Sequence, residues 1–180
     1  MKPFKILTIP NPILREKAKE IPKVDIKVKK VAERMLFTLS ESKLGLALAA
    51  PQIGESIRLI VVGVSEQKDS EGRVTQKEIP PAAYINPVIT KLSKDKEVEE
   101  EGCMSYLGYY GPVERSKKVK MKAKTLDGKE IKVNASGLFA KIIQHEVDHL
   151  DGILFIDRLT DKSKLRKVKL ELGDENPRFS

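Results

Sequence analysis

Gln144-His145-Glu146-Val147-Asp148-His149 is the stretch from which the rest of the chain is read. It carries His-Glu-x-x-His inside a helical apolar pattern formed by Phe139, Ile142, Ile143, Val147 and Leu150. Positions i and i+4 share one face of a helix, so His145 and His149 can aim two imidazoles at one metal ion. Glu146 stands about 100° round the helix from His145, placed to reach a water on that ion rather than to share its ligand position. The chain holds two histidines and one cysteine, and both histidines fall in this stretch. The bland alternative, a helix with two surface histidines beside carboxylates, has to be tested against the rest of the chain.

Working outward, Ser136 or Asn134 is the expected cap of this helix, and Gly152 stands where a helix end favours positive φ. Upstream, Asp127-Gly128 predicts a hairpin between a half-exposed strand from Val113 to Lys124, alternating around Val119, Met121 and Ala123, and another at Ile131-Lys132-Val133. The acidic run Glu97, Glu99, Glu100 and Glu101 leads into Gly102-Cys103-Met104-Ser105; it reads as a solvated face or as carboxylates supporting a metal site. Tyr84 to Thr90 is a strand that Pro87 confines to an edge or a bulge. Residues 65–80, with Asp69-Ser70-Glu71-Gly72, read as a mobile loop or hairpin tip. Ile57 to Val64 is a near-continuous apolar strand, expected at the centre of a sheet.

Before that strand, Gly45-Leu46-Ala47-Leu48-Ala49-Ala50-Pro51-Gln52 is a run of small and apolar residues closed by an amide. Tight core packing or close backbone approach to a ligand both account for it. Asp25 predicts the start of a first helix ending near Ser42, and the proline-rich segment 5–24 predicts a looped arm. At the other end, Lys162 to Leu172 predicts a basic helix and residues 173–180 a frayed tail, leaving 1–172 as one catalytic domain.

With 40% hydrophobic and 33% charged residues, the composition is that of a folded chain rather than a disordered one. The net charge of +8 favours an anionic partner such as nucleic acid or an acidic surface. A lone cysteine forms no internal disulfide, no apolar run is long enough to span a membrane, and no secretory leader is evident. The expectation is a cytoplasmic protein without a membrane anchor.

A catalytic zinc-like site takes three protein ligands. The helix supplies two, and Asp148, Asp151, Asp157 or Cys103 are the candidates for the third. At this point three blocks, 45–52, Glu101-Gly102-Cys103-Met104-Ser105 and 144–149, together with the arm Pro10-Asn11-Pro12-Ile13-Leu14-Arg15, resemble the signature motifs of the peptide deformylases in order and separation. The resemblance covers almost the whole chain.

It implies an α+β fold, with antiparallel β-sheets packed around the central metal-binding helix, an N-terminal helix and a basic C-terminal helix. It implies that Cys103, His145 and His149 bind one divalent metal, ferrous iron in the family, with zinc, nickel or cobalt able to substitute. It gives Glu146 the role of general base, and the side-chain amide of Gln52 and the backbone N–H of Met104 that of oxyanion donors. Gly45, Ala47, Glu101 and Gly102 fall against the substrate, and Leu46, Leu138 and Ile142 against the methionine side chain, the last two on one helical stripe with His145. The substrate implied is the N-formylmethionyl end of a nascent polypeptide, the products formate and a free N-terminus. A monomer is expected, with ribosome contact through the basic C-terminal helix. Asp148 and Arg115 are expected to pair and hold the helix against the sheet.

The chain departs from the family pattern at Ala47, where glycine is usual, at Met104 for leucine, and at Leu107 for proline. Two other readings compete. A metallopeptidase shares the histidine motif but predicts a carboxylate or histidine as third ligand. A non-catalytic metal-bound adaptor predicts a site closed by four protein ligands and no use for Glu146.

Overall fold

The computed structural model describes residues 1–42 and 45–168. In α1 (Ile26–Ser40) the Asp25 carboxylate accepts the N–H of Val28 at 2.9 Å, the expected cap. Strands β1 (Ala47–Ala49), β2 (Leu59–Val64), β3 (Gln67–Lys68), β4 (Val74–Gln76), β5 (Ile79–Leu92), β6 (Lys96–Gly102), β7 (Tyr109–Ser116), β8 (Lys118–Lys124) and β9 (Glu130–Ser136) follow. Then come α2 (Gly137–Leu150) and β10 (Arg166–Lys167). Five strands pair in the order β1-β2-β5-β8-β9, three in the order β10-β7-β6, and β3 with β4, antiparallel throughout. The architecture is therefore α+β with antiparallel sheets, as expected.

Alternation along β2 divides the core. Leu59 and Val61, with Leu48 and Ile85, pack under Met35 and Leu39 of α1. Ile60 and Val62, with Val119 and Met121, pack under Ala140, Ile143, Val147 and Leu150 of α2. Gln144, Glu146, Asp148 and His149 are buried as well, so α2 is enclosed on its polar side too. A helix enclosed on so many sides needs a partner for each polar group, and the site below supplies most of them.

Pro87 marks a bulge inside an internal strand: the β5–β8 register shifts between Ile85 and Val88. Asn86, at φ +49°, turns its amide to the arm, accepting from Ile21 N and donating to Ile21 O, both at 2.8 Å. Residues 67–76 form a small hairpin, and Asp127-Gly128 turns β8 into β9 as read.

Two expectations are corrected. Ser136 precedes α2 but makes no side-chain cap bond, because β9 runs straight into the helix and Gly137 turns the chain at φ +57°. The basic C-terminal helix is absent from the described residues. Lys162–Lys164 is one 3-10 turn capped by Asp161, and Arg166 and Lys167 pair with Tyr110 and Tyr109 of β7. The open edge of β7 offers ladder hydrogen bonds, continued by Val168 N to Gly108 O at 2.7 Å. A short lysine-rich helix with little apolar surface to bury cannot match them. Residues 169–172 of that expectation, and the tail 173–180, lie outside the described residues.

Candidate active site

The helical spacing does what it predicts. His145 and His149 stand one turn apart with ring centroids 4.9 Å from each other at 73°. Across from them β6 ends at Gly102, and Cys103 brings its Sγ to 3.2 Å from His149 Nε2. One ligand atom from each of Cys103, His145 and His149 falls within 4.8 Å of the others. Gly102 is required by close approach, since a Cβ there would lie 2.5 Å from the ring of Tyr110, its cross-strand partner.

Charge explains how the cluster holds. Burial alone would raise the Cys103 thiol, but the imidazoles of His149 and His145 outweigh it and hold the pKa well below the ordinary value. Burial likewise opposes the His145 imidazolium, and the facing Cys103 and Glu101 raise its pKa well above the ordinary value. Glu101 meets His145 Nδ1 at 3.0 Å and grips Arg115 through both oxygens, at 2.8 and 3.1 Å. Against the cost of burial, His145 and Arg115 bring its pKa down to about 2. With Nδ1 committed to Glu101, His145 keeps Nε2 for the cluster. The residues thus fit a divalent cation: a thiolate and two imidazoles converge, one imidazole already oriented by a carboxylate.

Arg115 Nη1 also donates to Asp148 at 2.6 Å, and Asp148 takes Arg158 Nη2 at 2.8 Å. The expected Asp148–Arg115 pair is present, and Arg158 extends it. Asp148 therefore faces away from the cluster. Asp151 pairs with Arg58 at 2.7 Å and Asp157 with Arg15, so none of the three aspartates considered as a third ligand joins the histidines.

Glu146 is 4% exposed, and its Oε2 has no hydrogen-bond partner among the described residues. Burial pushes its pKa up to about 7, against the pull of the two histidines. Gln52 is pinned: Oε1 accepts the N–H of Ala49 at 2.8 Å, which turns Nε2 toward Ser105 Oγ at 3.1 Å and Cys103 Sγ at 3.6 Å. Met104 is the first residue of a 3-10 turn, where an N–H has no acceptor within its own helix.

These groups open on a cavity of about 130 Å³. Gly45, Leu46, Ala47 and Gln52 line one wall, Glu101, Gly102, Cys103 and Met104 a second, and Leu138, Ile142, His145 and Glu146 the α2 side. Of the residues that the resemblance assigned to the site, all line this cavity except His149, which is 1% exposed. Ala47 lies in β1 opposite Val62 with an extended backbone, its methyl in the core. The departure from glycine thus meets no unusual φ.

Sequence reasoning missed Tyr110, Lys141 and Ser105. Lys141 lies on the stripe of Leu138, Ile142 and His145, lines the cavity and pairs with Glu99. Helical spacing alone could have found it. Tyr110 depends on the β6–β7 register, which no local pattern contains.

A family model for polypeptide deformylase matches residues 3–165. A peptide deformylase of Thermomicrobium roseum is 44% identical over 163 residues, 91% of this chain and 89% of that protein. One of Dictyoglomus turgidum is 43% identical over 92% of this chain and 99% of its own length. The crystal structure of the peptide deformylase from Ehrlichia chaffeensis superposes with a TM-score of 0.81 at 31% identity, covering 91% of each chain. That of Synechococcus elongatus, in complex with actinonin, gives 0.79 at 35% identity over 91% of this chain and 82% of that one. With its cysteine and two histidines converging beside a buried glutamate, this chain belongs to the peptide deformylase family.

Proposed function

We propose that Cys103, His145 and His149 hold the metal, ferrous iron in the native enzyme, and that Glu146 is the general base. The reaction itself follows from the family: the enzyme is a metal-dependent hydrolase that removes the formyl group from the N-terminal formylmethionine of new polypeptides and releases formate. When bound there, a divalent cation would supply Lewis acidity for the formyl carbonyl and would lower the pKa of a water toward neutrality. Glu146 takes a proton from the attacking water and passes it to the departing amine. A buried carboxyl with a pKa near 7 can hold and release that proton at neutral pH. Gln52 Nε2 and the N–H of Met104 receive the negative oxygen of the tetrahedral intermediate. Because Ala49 holds Gln52 Oε1, the amide is oriented before substrate arrives.

Leu46, Leu138 and Ile142 take the methionine side chain, and Gly45, Ala47 and Gly102 present backbone to the peptide. Glu101, expected against the substrate, acts chiefly by orienting His145. We place the enzyme in the cytoplasm as a monomer. Among the described residues no helix is long and apolar enough to cross a membrane.

The observation that carries the reading is a buried carboxyl with an unpartnered oxygen beside three converging metal-ligand atoms. The test is formate release from a formyl-Met peptide by protein prepared anaerobically with iron, beside Glu146→Ala. Wild type should release formate, and the variant should lose about 10²–10⁴-fold while keeping its metal. An unimpaired variant would remove Glu146 from the role.

A further inference from the structure

The two faces of the five-stranded sheet are covered unequally. α2 and the cavity lie on one face; α1 covers the other over Leu48, Leu59, Val61 and Ile85. That second face continues past Ile85, which stands opposite Lys124, onto β8 and β9. There Val88, Lys91, Lys118, Lys120, Lys122 and Lys132 are exposed.

The register sets like charge against like. Lys91 is directly opposite Lys120, and Lys122 directly opposite Lys132. Such pairs destabilise a sheet. The carboxylate that the register brings onto this face is Glu130, at its far end opposite Lys124. Among the described residues, Lys91, Lys118, Lys120, Lys122 and Lys132 form no ion pair. Lysines often blunt a sheet edge against aggregation. Here only Lys132 is on an edge strand, while Lys91 lies on β5 and the rest on β8, both internal. Protection of an edge does not account for them; an anionic partner does.

We propose that this lysine-lined half of the sheet, exposed among the described residues, docks the phosphate backbone of structured RNA. Among the described residues the face carries no aromatic side chain, which removes both the stacking platform of a single-strand binder and the anchors of a membrane-surface helix. What remains is an array of cations suited to phosphates without reading bases. The inference rests on nascent polypeptides being the substrate, since these emerge from an RNA-rich particle. RNA held here lies across the sheet from α2 and leaves the cavity mouth open.

The test compares wild type with a Lys91→Gln, Lys120→Gln, Lys122→Gln, Lys132→Gln variant and its all-arginine counterpart, using a short labelled RNA duplex at rising salt. Wild-type affinity should fall steeply with salt, with a log–log slope of about −3 to −4. The glutamine variant should lose about tenfold or more in affinity with a shallower slope, and the arginine variant should keep both. All three should release formate from a free formyl-Met peptide at the same rate, which reports an intact fold and site. A glutamine variant that binds like wild type overturns the proposal. So does a wild type that ignores the duplex, or prefers phosphatidylglycerol vesicles to it. Loss of formate release in wild type would instead bear on the catalytic assignment alone.

Discussion

Ala47 shows how a residue read as a liability from its motif becomes ordinary in place. The residue is 7% exposed, belongs to the α2 side of the core, and sits on an extended strand. Ala47→Gly should therefore leave kcat/KM within about twofold while lowering stability by about 1–2 kcal/mol, from the lost methyl and the freer unfolded chain. Thermal unfolding beside steady-state kinetics checks this, and a large gain in kcat/KM would restore the view that the methyl obstructs substrate. Glu101 moved the other way, from a suggested substrate contact to the group that takes His145 Nδ1. Glu101→Ala should weaken metal retention about 10–100-fold, read by competition with a chelator. Retention equal to wild type would leave Glu101 a merely structural residue. The acidic run was read as a solvated face or as support for a metal site; which carboxylate meets which histidine was illegible, because Glu101 and His145 lie 44 residues apart and meet through tertiary packing.

α2 is the element through which the two sheets meet the site, and its ends and its polar side are held by different means. Arg115, 5% exposed, joins β7 to the helix through Asp148 and to β6 through Glu101. Arg115→Met leaves buried carboxylates short of a partner and should cost about 3–5 kcal/mol in urea unfolding. An unchanged midpoint would mean that Arg158 alone can satisfy Asp148. At the C-terminal end, Gly152 has φ +72°, and a Cβ there would lie 2.4 Å from Arg15 O. Gly152→Ala should destabilise by more than about 2 kcal/mol from the left-handed backbone and this clash together. Both helices and the Asp127-Gly128 hairpin were legible because apolar periodicity, the Asp25 cap and turn chemistry are local. The C-terminal segment was not. Its lysines and leucines permit a helix, and only the neighbouring β7 edge offers the alternative that was taken.

At the scale of the whole molecule, Arg15 of the N-terminal arm meets Asp157 beyond α2 and closes the chain on itself. Burial pushes the Asp157 carboxyl up, but Arg15 and the N–H of Leu154 outweigh it and lower the pKa. A folded-state pKa below the unfolded one contributes stability in full above the unfolded value and loses it as pH falls through the folded one. Wild type should thus exceed Arg15→Gln in stability at neutral pH, and the gap should shrink as the pH drops below 3.8. Because both side chains are more than 40% exposed, the gap should stay under about 1 kcal/mol. A gap that widens in acid would contradict this assignment.

By itself the sequence determined the chemistry: a helix presenting His145, Glu146 and His149, a cysteine between a glycine and a short turn, and a glutamine closing a run of small residues. Those features depend on neighbours a few positions away, where backbone geometry is the same in any fold. The tertiary structure alone decided that Glu101 rather than solvent faces His145, that Tyr110 lies on Gly102, and that the lysines of β5, β8 and β9 share one face. Each depends on strand register and on what packs above the sheet. Those are settled by burial and hydrogen bonding summed over the whole chain, which no local stretch carries.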